Sequence, residues 1–94
     1  MITTIDIKEM SPNKLVSWFM MGSYAYYRLG VRVMEDSDFD FLVQRLKVCY
    51  NDVDHPHKKF ITMEHLDAGT GYDIRFPTIV QHATHNYIKE AGLW

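Results

Sequence analysis

Two helix starts constrain this fold more than any other feature of the sequence, because they define two helices joined by a short connector. The first is Ser11-Pro12, in which Ser11 suits the N-cap and Pro12 the first helical position. Apolar residues then recur every three or four positions up to Gly30, a residue that favours the left-handed turn closing a helix. This pattern predicts a first helix over about residues 12–29.

The second helix start is Asp36, a natural N-cap that follows the connector over residues 30–35. Asp38 and Asp40 fall in the first turn, where the positive end of the helix dipole stabilises carboxylates. A connector this short predicts that the two helices are antiparallel. The apolar stripe of the second helix consists of Phe39, Leu42, Val43, Leu46 and Cys49 or Tyr50.

The remainder of the chain predicts one further helix. Pro77 opens a segment that keeps an apolar side up to Gly92, and we expect this C-terminal helix to pack across the first two. Residues 1–10 fit a short extended arm or an irregular lead-in, residues 60–66 a short helix or a strand, and residues 67–71 a turn. The predicted fold class is a small, mainly α domain.

The length of 94 residues indicates a single domain over residues 1–94, because domains typically hold about 50–250 residues. Hydrophobic residues make up 47% and charged residues 23%, a balance typical of globular chains. A core of this size gives modest stability, so we expect a homo-oligomer. The formal net charge of −2 argues against direct nucleic-acid binding, which needs a basic face to neutralise phosphates.

Cysteine usage and hydropathy give expectations about location. The single cysteine, Cys49, cannot form an intramolecular disulfide and fits a reducing compartment. The first residues lack the basic start and apolar run of a signal peptide, and no stretch reaches the ~20 apolar residues of a membrane span. We therefore expect a cytoplasmic protein without membrane contact.

Aromatic and acidic side chains come together where the first predicted helix ends and the second begins. Tyr26 and Tyr27 close the first helix, and Phe39 lies in the first turn of the second. Asp36 and Asp40 are four residues apart, so they share one helix face. Aromatic rings and carboxylates in one place suit a ligand that is flat and polar. The alternative is structural: the acids cap and solvate the helix start, and the aromatics belong to the core.

These residues also carry a family resemblance. The motifs occur in the order Tyr26-Tyr27, Asp36-x-x-Phe39-Asp40-x-Leu42, Leu46 and His55-Pro56. On these motifs residues 14–56 resemble domain Ia, the small N-terminal helical domain of NAD-dependent bacterial DNA ligases. That domain carries a tyrosine-rich helix end, an Asp-x-x-Tyr-Asp-x-Leu helix start, a further leucine and a His-Pro. Residues 57–94 form a C-terminal extension to the resemblance.

The resemblance implies a ligand and its contacts. Domain Ia of the ligases clasps the nicotinamide mononucleotide (NMN) half of NAD, with aromatic side chains on the nicotinamide ring and acids on the ribose hydroxyls. Carried over by position, Tyr26, Asp36 and Asp40 keep the family's residue types. Tyr27 stands where the ligases usually have His, and Phe39 where they usually have Tyr, so a ring remains at both positions but a polar group is lost or moved.

The catalytic part of the ligases has no counterpart in this sequence. Adenylation needs a lysine nucleophile within a Lys-x-Asp-Gly motif, and the sequence contains no such motif. No nucleophile and base are paired by spacing either. We therefore expect a protein that is not an enzyme and requires no cofactor, and whose ligand is NMN, NAD, or an NAD-derived or cyclic nucleotide.

Other polar residues give weaker signals. A nucleotide needs a cation for its phosphate, and Arg28, Arg32 and Arg75 are the candidates. Gly69-Thr70-Gly71 fits an ordinary turn better than a phosphate-binding loop. The five histidines lack a cysteine pair or acids at matching spacing, so we expect no metal site.

The leading hypothesis is non-catalytic binding or sequestration of a ribonucleotide of the NAD, NMN, ADP-ribose or cyclic-signal type. Stand-alone relatives of domain Ia look like bacteriophage accessory proteins, so the resemblance implies an anti-defence role in the cytoplasm of the host cell. The alternative is a protein-interaction module that binds a host enzyme and has lost nucleotide binding. Its partner surface would consist of Trp18, Met20, Met21 and Trp94.

Overall fold

The computed structural model describes residues 1–93, and over this range the chain is mainly helical, as predicted. Within residues 1–93 no strand forms, and the only β-type pairing is an isolated bridge between Ile2 and Met34. A π-helical turn, Ala25–Leu29, continues the second helix, and 3₁₀ turns occur at Tyr50–Asp52 and Lys58–Phe60. The α-helices are α1 (Thr4–Lys8), α2 (Pro12–Tyr24), α3 (Asp36–Cys49), α4 (Met63–Ala68) and α5 (Thr78–Ala91).

Helix α2 is the centre of the packing, because it contacts both α3 and α5. Helices α1 and α4 both pack against α3. The C-terminal helix therefore lies mainly on α2 rather than across the predicted pair. The side chains that fill the interface of the three long helices are fully or almost fully buried, and they include Phe19 and Met20 from α2, Leu42 and Leu46 from α3, and Val80 and Ile88 from α5.

The limits of the first long helix follow from its end residues, as predicted. The Ser11 side chain accepts a hydrogen bond from the Lys14 backbone N–H at 3.3 Å, and Pro12 occupies the first position. Gly30 closes the helix with a φ of 68°, a left-handed conformation that costs glycine nothing. The last turn, however, is π-helical rather than α-helical, and single π-turns occur frequently at functional sites.

The structure corrects or completes the predictions for three short segments. Residues 1–10, expected to be an arm or lead-in, contain α1, which begins with a capping box between Thr3 and Asp6. The N-cap of α3 is Glu35, and Asp36 is the first helical residue. Of the two options left open for residues 60–66, the helix is correct, because α4 begins after Thr62. The Thr62 side chain caps this helix by accepting a hydrogen bond from the His65 backbone N–H. Helix α4 also includes the first two residues of the predicted 67–71 turn.

Helix α1 is fastened to the start of α3 by side-chain contacts. The Asp38 carboxylate accepts hydrogen bonds from the backbone N–H of Thr4 at 3.0 Å and from its hydroxyl. The Arg45 guanidinium donates to the carbonyl of Ile7. These contacts hold α1 against α3, and the backbone N–H of Ile2, just before α1, donates to the connector at the Val33 carbonyl at 2.9 Å. The connector and the first turn of α3 form one wall of a cleft.

Candidate functional site

A cleft of about 160 Å³ opens between the π-turn, the connector and the first turn of α3. It contains the acids and aromatics that the sequence singled out, so the chain brings together residues that are up to 14 positions apart. All five predicted ligand residues line this cleft, together with one cation: Tyr26, Tyr27, Asp36, Phe39, Asp40 and Arg32.

The two tyrosines of the π-turn are surface residues. Tyr26 is 47% exposed and Tyr27 is 40% exposed, which excludes the alternative that both belong to the core. Their rings meet edge to face, with centroids 4.9 Å apart and planes at 87°. The two rings therefore line the cleft at nearly right angles to each other, and aromatic faces attract flat or cationic groups.

Phe39 belongs to both the core and the cleft. Its ring is half-buried and stacks on Phe19, with centroids 5.6 Å apart and planes at 20°. The approach of this ring to α2 depends on Gly22, because a Cβ at that position would lie 3.4 Å from the Phe39 ring and 3.2 Å from the Met34 methyl group. The stack fixes the Phe39 ring, so this wall of the cleft is rigid.

The three acids at the start of α3 have different surroundings. Asp36 is exposed and forms an ion pair with Arg32 at 3.5 Å. Asp40 is exposed and lines the cleft, and its carboxylate makes no hydrogen bond or ion pair with any other of residues 1–93. Asp38 points away to α1, where it holds Thr4. Only Asp36 and Asp40 are therefore placed to meet a ligand in the cleft.

Of the three arginines predicted to contact a phosphate, only Arg32 lines the cleft. Its guanidinium lies 5.8 Å from the centroid of the Tyr26 ring and also pairs with Glu35 at 3.8 Å. The Arg28 guanidinium lies over the Phe76 ring instead, 5.4 Å from its centroid. Arg75 is exposed and is not among the residues that line the cleft.

The C-terminal segment contributes to the site in a way the sequence did not reveal. Gly69 lines the cleft, and the Thr70 hydroxyl donates a hydrogen bond to the phenolic oxygen of Tyr27 at 2.8 Å. The Tyr72 ring lies 6.1 Å from the Tyr27 ring, and its backbone N–H donates to the Thr70 hydroxyl at 3.3 Å. The glycines on either side of Thr70 predicted a turn from the sequence, and in the structure this turn contacts Tyr27.

A second groove, of about 370 Å³, lies between α2, α5 and the loop at His55. The His57 backbone N–H donates to Nδ1 of His55 at 3.0 Å, so the neutral ring carries its proton on Nε2, which faces the Ser17 hydroxyl at 3.3 Å. Burial, and then the neighbouring His57, lower the pKa of His55 and favour this neutral form. In this tautomer both ring nitrogens of His55 are engaged, so the ring cannot act as a base toward the Ser17 hydroxyl. The contact instead joins the loop to α2.

The partner surface predicted for the alternative function is not formed as expected. Met20 is fully buried in the core. Trp18 packs edge-on against Tyr87 of α5, with ring centroids 4.9 Å apart. Met21 lines the second groove. Trp94 lies outside the described residues.

Among residues 1–93 no group of three His, Cys, Asp or Glu side chains is arranged to hold a metal ion. None of the helices over the same residues has the length and apolar character needed to cross a membrane.

Comparisons with protein-family models, with curated proteins and with solved structures find no match for this chain.

Proposed function

We propose that this protein binds a ribonucleotide in the cleft between the π-turn and α3, without converting it chemically. The observation that carries the proposal is the set of side chains that line one cleft: two exposed tyrosines, a rigid phenylalanine, and the carboxylates of Asp36 and Asp40. Rings and carboxylates in this arrangement match the two halves of a nucleoside, its flat base and its ribose diol.

The volume of the cleft indicates which part of the ligand it encloses. A cavity of roughly 150 Å³ accommodates a benzene molecule, and the cleft measures about 160 Å³. One planar ring therefore fills it, between Tyr26 and Phe39. The ribose would lie at the mouth, where the Asp40 carboxylate is exposed and accepts hydrogen bonds from adjacent hydroxyls.

The charge of the cleft favours a cationic ring over a neutral one. Two carboxylates, Asp36 and Asp40, face a single cation, Arg32, among the lining residues. A positively charged ring such as that of nicotinamide nucleotides would be attracted both by the carboxylates and by the tyrosine faces. The ion pairs of Arg32 are exposed and weak, so its guanidinium can turn from Asp36 to a ligand phosphate.

The resemblance to domain Ia of the NAD-dependent ligases supports the same class of ligand: NMN, NAD, ADP-ribose or a cyclic nucleotide derived from them. On this proposal the protein acts by capture alone and requires no cofactor. Capture of a nucleotide signal by a small cytoplasmic protein suits a bacteriophage accessory protein that blocks host defence, and this is the biological role we propose.

A thermal-shift panel tests the proposal. It would contain NMN, NAD, ADP-ribose, cyclic ADP-ribose and cyclic dinucleotides. A ligand at 100 times its dissociation constant that binds only the folded chain adds about 2.7 kcal/mol to the free energy of unfolding, which raises the melting temperature by several degrees. No shift with any member would contradict nucleotide binding and favour the alternative, a protein-interaction module.

A further inference from the structure

The hydroxyl of Ser23 is the one buried side-chain polar atom within residues 1–93 that has no hydrogen-bond partner. Ser23 lies on α2 and is 1% exposed. Serine in a helix commonly donates to the carbonyl four residues earlier, but this hydroxyl makes no such bond. A buried hydroxyl left unpaired by the protein destabilises a fold, and its hydrogen-bonding capacity is available to a ligand.

Ser23 adjoins the cleft already described. It is one of the lining residues, next to Gly22 and one turn before Tyr27. Its Oγ is covered by the turn at Gly71: a Cβ built on Gly71 would come within 2.7 Å of that oxygen and 2.8 Å of the Ile74 Cδ1. Gly69, at the start of the same turn, also lines the cleft. The unpaired hydroxyl therefore lies between the cleft and a turn that contains two glycines.

We propose that Ser23 is the specificity-determining residue of the cleft, and that its hydroxyl bonds a polar substituent on the ligand's ring, such as a carboxamide or an exocyclic amine. Because the oxygen is covered in the free protein, a small displacement of the Gly69–Gly71 turn accompanies this contact. The inference rests on the proposed nucleotide binding and adds that the ligand's ring must carry a polar substituent.

The chemistry of a hydroxyl explains this selectivity. A serine hydroxyl both donates and accepts, so it pairs with a carbonyl oxygen or with an amine. A ring that carries such a group satisfies Ser23 on binding, whereas a ring of the same shape without it leaves the hydroxyl buried and unpaired. Sites that hold an unpaired polar group reject analogues that lack the matching group.

Two matched pairs of nucleotides test the inference. One pair is NMN and the pyridinium mononucleotide without the carboxamide; the other is AMP and purine riboside monophosphate, which lacks the amine. Calorimetric titration of the wild-type chain should show about 2- to 10-fold tighter binding of the substituted member of whichever pair binds. Ser23→Ala should bind both members equally, at the affinity of the unsubstituted one.

The stability of the variants separates a ligand contact from a structural role. Ser23→Ala should melt at the wild-type temperature or above it, because the hydroxyl it removes holds no partner. Ser17→Ala on the same helix is the matched control: its hydroxyl faces His55 outside the cleft, so the preference between paired nucleotides should persist. Preserved selectivity in Ser17→Ala and lost selectivity in Ser23→Ala would support the inference.

Other outcomes would overturn it. Equal affinity of the wild type for both members, or an unchanged preference in Ser23→Ala, would reject the role of Ser23 and leave the proposed function standing. A Ser23→Ala chain that melts lower and loses affinity for both members alike would assign Ser23 to the structure. A wild-type chain that binds no nucleotide of the panel would reject both proposals together.

Discussion

Thr70 donates a hydrogen bond from its hydroxyl to the phenolic oxygen of Tyr27 at 2.8 Å, across 43 residues of sequence. Since the phenol accepts this bond, its own proton remains available to a ligand, and the bond strengthens it as a donor. On the proposed resemblance to domain Ia, Tyr27 stands where the ligases usually have a histidine, so its phenol supplies a polar group at a different place on the ring. The C-terminal segment thereby becomes part of the site.

Removal of this hydrogen bond should weaken ligand binding without unfolding the chain. Thr70→Val keeps the shape of the side chain but cannot orient Tyr27, so we expect about 2- to 10-fold weaker nucleotide binding by calorimetry. Thr78→Val, at the exposed start of α5, is the control and should bind as the wild type does. Unchanged affinity in Thr70→Val would show that the Tyr27 hydroxyl takes no part.

Substitution of two acids at the start of α3 should separate an effect on ligand binding from an effect on stability. Asp40→Ala should weaken nucleotide binding at least about tenfold with little change in melting, since the carboxylate has no protein partner within residues 1–93. Asp38→Ala should do the opposite and lower the free energy of unfolding by about 1 kcal/mol, because it frees the Thr4 N–H that begins α1. Chemical denaturation and calorimetry measure the two effects. Weaker binding in Asp38→Ala than in Asp40→Ala would place the ligand elsewhere.

The turn at Gly71 has little room for a side chain. A Cβ there would lie 2.7 Å from the Ser23 Oγ and 2.8 Å from the Ile74 Cδ1, both closer than real contacts. Gly71→Ala should therefore lower the free energy of unfolding by about 1–3 kcal/mol, as overpacked cores do, measured by urea denaturation. A variant as stable as the wild type would mean that the turn does not pack on α2.

The loop at His55 should make stability depend on pH. Because the folded-state pKa of His55 is lowered below its usual 6.5, the unfolded chain binds more protons than the folded one below neutral pH. The stabilisation is complete above about pH 6.5 and is lost as the pH falls through the lower folded value. Melting temperatures from pH 7.5 to 5 should show this loss.

A pair of variants isolates the contribution of His55. His55→Asn keeps an acceptor for the His57 backbone N–H but does not titrate, so its melting temperature should fall less steeply with acid. His82→Asn, on the exposed side of α5, should retain the wild-type slope. If the melting temperatures of His55→Asn and the wild type fell equally steeply with acid, titration of His55 would not be the cause of the pH dependence.

Signals local in the sequence predicted the three long helices and the cleft residues that come from the π-turn and α3. The limits of α2 and its π-turn follow from Ser11, Pro12 and Gly30, whose caps act within a few residues of each helix end. The acids and aromatics of the cleft were found in the same way, because spacing alone puts Asp36 and Asp40 on one helix face. Whether the cleft binds a nucleotide stays a prediction.

Features that depend on contacts distant in sequence could not be predicted. Helix α1 has five residues and is held by Asp38 and Arg45, neither of which its own sequence reveals. Arg28 was expected at the cleft, but the direction of a side chain in a π-turn does not follow α-helical spacing, and it lies on Phe76. Thr70 reaches the site only through the folding of the C-terminal segment.

The central claim is that the cleft at Tyr26 and Tyr27 binds the nucleotide, and two-dimensional NMR of the ¹⁵N-labelled chain tests it most directly. Titration with NMN, then with the other nucleotides of the panel, should shift the backbone amides of Tyr27, Asp40 and Gly69 in a saturable way. Amides beside the second groove, such as that of His57, should stay in place. No shift with any nucleotide, or shifts confined to the groove at His57, would contradict the account.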